Sequence, residues 1–211
     1  MNKKSKRIII GITLVFSSII FIAASNNYTK PKNMKEKAQY STFLKSTNDA
    51  SKVVATVDGN PITKNDVDNA KLFRQDNLSD KEMIDRLIKN KLLKEEAPKL
   101  GVNVTLEEAK EEALKQKNII ESNGSEEDKQ KISDIIAGLG ITPERYWNEY
   151  IPMEYQKIMT IENVKKIIGD QAISKNNKLK SSDMDLQKVR TDAIEDFENQ
   201  LMEKADVKIF N

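Results

Sequence analysis

Two strand signals, one near each end of an otherwise helical body, constrain this chain more than any other feature. The first is "VVATV" at Val53 to Val57, followed by an Asp58-Gly59-Asn60 turn, and the second is the closing run from Val207 to Phe210. A lone strand leaves a row of backbone groups unpaired, and a two-stranded ribbon is marginal in water unless helices cover it. The two runs therefore have to find each other, and everything between them has to pack over the pair. The expected fold is mainly α, a multi-helix domain closed by a small two-stranded β ribbon drawn from the two ends of the domain.

Helix signals fill the interval. Thr63 is placed to cap a helix with Asp66 three residues on, a near capping box, and that helix runs to about Asp76. Ser79 and Glu82 form a full box ahead of an apolar stripe of Met83, Ile84, Leu87, Ile88, Leu92 and Leu93, which Gly101 ends and whose last turn Pro98 loosens. Thr105 with Glu108 opens the next helix, to about Ser122, and Ser125 opens a fourth that ends near Gly138 to Gly140. Thr142 caps a fifth with Pro143 at its first position, where a missing N–H costs least. Pro152 stands inside that pattern and should kink or split it. Residues 169–182 read as a polar linker, and 183–204 return to helix with Leu186, Val189, Ala193, Ile194, Phe197 and Leu201 on one face. No internal repeat is present.

Ahead of this body, "MNKKSKR" and seventeen uncharged, mostly apolar residues from Ile8 to Ala24 make an export signal, residues 1–25, read either as a cleaved signal peptide or as a signal anchor. The basic end stays cytoplasmic, so residues from about 26 onward face outward. Residues 26–50 read as a polar, Lys-rich tether with a short helix around Glu36 to Leu44, and residues 51–211 as the folded domain. The protein is thus expected outside the cytoplasm, membrane-anchored through its apolar segment or secreted, and the abundance of Lys, Asn and Ile points to a bacterial cell surface.

Composition removes most chemistry. There is no Cys and no His, which excludes thiol nucleophiles, disulfides, imidazole bases and the usual zinc, copper and haem ligands. Formal charge is +2, and beyond residue 25 bases and acids nearly balance and interleave, so no nucleic-acid footprint exists. The acid clusters Glu107, Glu108, Glu111, Glu112 and Glu126, Glu127, Asp128 read as solvated helix faces, because nothing sets two carboxyls in an apolar setting as a hydrolase would require. No nucleotide loop, calcium loop or cofactor motif occurs, and the chain reads as a non-enzyme.

The residues "VVATVDGNPITKNDV", then "MIDRLIKNKLLKEEAPKLGVNVTLEEAKEE", then "LMEKADVKIF" resemble the N-terminal chaperone domain of SurA, found also in PrsA-type extracytoplasmic foldases and similar in helical architecture to the substrate-binding region of trigger factor. The resemblance covers roughly residues 53–168 and 183–210. It implies an ATP-independent chaperone, a holdase or foldase, whose partners are unfolded or newly exported polypeptides. Longer relatives carry a parvulin prolyl isomerase domain where this chain has only residues 169–182, and parvulin sites use paired His, so the resemblance implies no isomerase activity here. For a chaperone, Tyr146, Trp147, Tyr150, Met153, Tyr155 and Met159 are the peptide-binding candidates, expected to line an apolar cleft, since rings and thioethers adapt to many apolar partners. The same stripe reads more readily as core, since aromatics at helical spacing usually pack inward. Phe73, Met83 and Met202 are lesser candidates. A second functional reading is a membrane-anchored helical adaptor for one specific protein partner, which client breadth would separate from a holdase.

Overall fold

The computed structural model describes residues 31–74, 76–175 and 183–210. The export segment lies outside them, and among the described residues no helix is long and apolar enough to cross a membrane. In chain order the elements are α1 (Met34–Ser46), β1 (Val53–Val57), β2 (Asn60–Thr63), α2 (Lys64–Leu72), α3 (Asp80–Leu100), α4 (Leu106–Asn123), α5 (Glu126–Leu139), α6 (Pro143–Arg145), α7 (Ile151–Lys175), α8 (Asp183–Lys204) and β3 (Val207–Ile209).

The ends pair as expected. β1 runs antiparallel to β3 with Ala55 opposite Ile209 and Val57 opposite Val207. The ribbon nevertheless has three strands, in the order β2-β1-β3, because residues beyond the turn pair back on β1. Asp58 and Gly59 hold φ of 48° and 79°, the left-handed pair that a two-residue hairpin turn requires. Asn60, read as part of the turn, is the first residue of β2. Pro61 is tolerated there because β2 is an edge. The Asp58 carboxylate also accepts the Asp206 N–H at 2.8 Å, so the turn fastens the start of β3.

Every N-cap read from the sequence is in place. Thr63, Ser79 and Thr105 make reciprocal capping boxes with Asp66, Glu82 and Glu108, while Ser125 and Thr142 accept from the third residue of their helices. Gly101 ends α3 at φ 67°, and Pro98 sits within the last turn without ending it. The first of these helices is shorter than expected, since α2 stops at Leu72 rather than near Asp76.

Three readings are corrected. The tether, from Met34 onward, is α1, a thirteen-residue helix with Met34, Ala38, Ser41 and Leu44 buried, so it belongs to the folded body. The polar linker is helical over its first half, because α7 continues through Gly169 to Lys175. Pro152 does not split its helix: α6 and α7 are joined through a π turn, Tyr146–Tyr150, in which the Ile151 N–H donates to the Tyr146 carbonyl five residues back. That register change comes just before the ring that would otherwise press on the Asn148 carbonyl.

Three apolar clusters fill the interior. The sheet rests with Val67 of α2 on Met83, Ile84, Ile88 and Leu92 of α3, closed from above by Leu201 and Met202 of α8. Leu93, Ala97 and Val164 join α3 to α7 and to Phe197 of α8. The third gathers α1, α4 and α5 around the start of α7 through Ala38, Ala113, Ile136, Trp147 and Tyr155. α7 therefore spans two cores, and its outward face lies beside α1.

Candidate functional site

The π turn decides which way the aromatic segment points. By adding one residue to the helical repeat it lets Tyr146, Trp147, Ile151 and Tyr155 share one inward face. Tyr146 and Trp147 meet edge to face at 5.1 Å between centroids, and Tyr146 stacks on Tyr150 at 5.9 Å. Burial pushes the Tyr146 and Tyr155 hydroxyls far above the usual phenol range, so both stay protonated. Of the six peptide-binding candidates, Tyr146, Trp147 and Tyr155 are thus core residues, Met159 is half-buried against the same core, and two reach the surface: Tyr150 is half-buried and Met153 is 48% exposed. Phe73 packs against this core from its edge, while Met83 and Met202 belong to the core beneath the sheet.

Tyr150, Met153, Glu154 and Lys157 follow the i, i+3, i+4, i+7 spacing of a single helix face. That face borders a cleft of about 270 Å³ between α7, the end of α1 and the start of α2, lined by Leu44, Lys45, Asn48, Asn65, Asp66, Asn69, Glu154 and Lys157. Lys45 bridges the cleft: its Nζ donates to Tyr150 Oη at 3.4 Å, lies 5.2 Å from that ring's centroid, and sits 3.7 Å from the Glu154 carboxylate, which Lys157 also pairs at 3.1 Å. The expected apolar cleft is therefore a polar one with an aromatic and thioether lip.

The lining amides were not found from sequence. Asn65 Nδ2 donates at 3.0 Å to both the Leu44 carbonyl and the Thr47 hydroxyl, the Ser41 hydroxyl donates to Asn69 Oδ1 at 2.6 Å, and the Thr63 hydroxyl donates to Asn48. They lash α1 to α2 and β2, and each amide carries both donor and acceptor atoms, the functions a peptide backbone also presents. The available signal was Asn65 and Asn69 one turn apart in a short helix, where Asn is a poor helix former.

Elsewhere, Glu112 departs from the solvated reading. It is buried beside Tyr155, and its carboxylate accepts from Gln116 at 2.7 Å and Lys115 at 3.2 Å. Glu107, Glu111, Glu126 and Glu127 are exposed as expected.

A helical body closed by a small sheet that joins its ends, with a mixed polar and aromatic cleft on one side, defines a mainly α domain. The chain belongs to the SurA-like N-terminal domain family, whose model matches residues 1–153. SurA-like domains bind polypeptide substrates, have a chaperone-type role and are typically extracytoplasmic in bacteria. No curated protein matches the chain. The family match ends at Met153, on the lip of the cleft, so most of α7 together with α8 and β3 lies beyond it.

Proposed function

We propose that this protein is an extracytoplasmic, ATP-independent holdase that captures unfolded stretches of exported polypeptides along the outward face of α7, and that it catalyses no prolyl isomerisation. The observation that carries this reading is the pairing of an exposed thioether, Met153, and a half-buried ring, Tyr150, with a cleft whose Asn and mixed-charge lining suits peptide groups. A flexible thioether and a ring adapt to many apolar side chains, whereas amides bond backbone, which every client has. The signal at residues 1–25 would hold the protein on the outer side of the membrane or release it there.

The test is light scattering of a chemically unfolded protein diluted with and without the full-length chain. Suppression at near-stoichiometric amounts is expected with several unrelated clients, and Met153→Lys should weaken it severalfold while the unfolding midpoint stays within the range of surface substitutions. Absence of suppression with every client overturns the holdase and favours the single-partner adaptor. A protease-coupled proline isomerisation assay should read the uncatalysed rate.

A further inference from the structure

On α1, outside all three apolar clusters, Tyr40 and Phe43 stack at 6.1 Å between centroids and stand 39% and 57% exposed. At about 100° per residue Phe43 lies some 140° around the helix from Ala38, whose side chain meets α5. Around the pair charge is one-sided. From Pro31 to Ser46 the sequence places Lys32, Lys35 and Lys37 against the single acid Glu36, Lys45 being engaged at the cleft by Tyr150 and Glu154, whereas beyond residue 46 there are 26 bases and 32 acids. Glu36 offsets one of these lysines. Its carboxylate folds back on the helix start, accepting from the Lys32 N–H at 2.6 Å and from Asn33 Nδ2 at 2.9 Å. Lys35 and Gln39 are exposed on the turns that lead to Phe43.

Chain length adds a second argument. The apolar run ends at Ala24 and α1 begins at Met34, so nine residues separate them and reach at most about 30 Å. We infer that α1 docks by its Tyr40–Phe43 face on an anionic lipid surface, with Lys35 and its neighbours against the headgroups, which turns the α1–α2–α7 cleft away from the bilayer. Rings at the headgroup level with a lysine fringe are what such a surface recognises. The inference rests on the reading of Ile8 to Ala24 as an anchor.

Because the chain has no Cys, Gln39→Cys takes a single fluorophore. The full-length protein is incubated with phosphatidylglycerol–phosphatidylcholine vesicles carrying a nitroxide-labelled lipid, and flotation is measured in parallel. The label at position 39 should be quenched severalfold more than one at Asp192→Cys on α8. The excess should vanish with Tyr40→Ala plus Phe43→Ala, or in ~1 M salt where screening falls to about 3 Å, while flotation persists. Flotation without quenching at position 39 overturns the docking and leaves the anchor standing. Failure to float overturns both. A response to a reduced and alkylated, permanently unfolded polypeptide instead of to vesicles assigns the patch to clients and overturns the lipid surface.

Discussion

Trp147 and Met153 show how differently two neighbours on one stretch of sequence can act. Trp147 is buried among α1, α4 and α5, and its removal leaves a cavity that the surrounding helices cannot close. Trp147→Ala should therefore cost about 3–5 kcal/mol, whereas Met153→Ala at the surface should cost under about 0.5 kcal/mol, both read from urea unfolding midpoints. A loss of client binding in the first variant would follow from unfolding, and in the second it would report contact. Equal destabilisation by the two would mean that Met153 also packs inward. Which residues carry the apolar area was legible in "YWNEYIPMEY". Which way each one points was not, because one residue added by the π turn shifts the phase of everything before it.

At the scale of elements, α1 is held by a close crossing. A Cβ on Gly138 of α5 would lie 2.7 Å from the Ala38 Cβ and press still harder on the Lys35 carbonyl, which is backbone and cannot swing away. Helix propensity alone would favour alanine there by up to about 1 kcal/mol. The clash reverses the sign. Gly138→Ala should lower stability by about 1–3 kcal/mol and shift Trp147 emission to the red as α1 lifts from the shared core. A neutral or stabilising result would show that α1 can slide along α5. The caps at Thr63, Ser79, Thr105, Ser125 and Thr142 were legible because each is a local hydrogen-bond pattern of four residues. β2 was missed because "NPIT" has little apolar alternation and owes its existence to backbone pairing with β1. α1 was read as tether because its buried face is only Met34, Ala38, Ser41 and Leu44, small or polar at two of four positions, and a close helix crossing needs no bulk.

Over the whole molecule, charge pairs supplement the apolar clusters, several of them between helices, and they set how stability follows pH. A hydrogen bond from Arg74 holds Asp76 below the ordinary carboxylate range, one from Lys71 does the same for Asp80, and one from Lys166 for Asp170, which also takes Arg190 of α8 at 2.8 Å. A carboxylate whose pKa is lower folded than unfolded binds more protons once the chain opens. Its contribution is complete above the unfolded value, near 4, and is lost as pH falls through the folded one. Burial opposes Lys64, yet its bonds to Asp68 and Asp80 raise its pKa, and the Asp85 bond raises that of Lys89. Those contributions are complete below the unfolded lysine value, about 10.4, and fade as pH climbs through the folded one. With no His in the chain, no side chain has an ordinary pKa between these limbs. The midpoint of denaturant unfolding should therefore stay level from about pH 5.5 to 9 and fall on both sides. All these groups are partly exposed, so each pair is worth under about 1 kcal/mol and the acid limb should shrink in high salt. Asp80→Asn, which removes the partner of both Lys64 and Lys71, should lower the plateau and flatten the acid limb together. A midpoint that instead slopes between pH 6 and 8 would mean that a group with a strongly displaced pKa, one outside these pairs, governs the folded state.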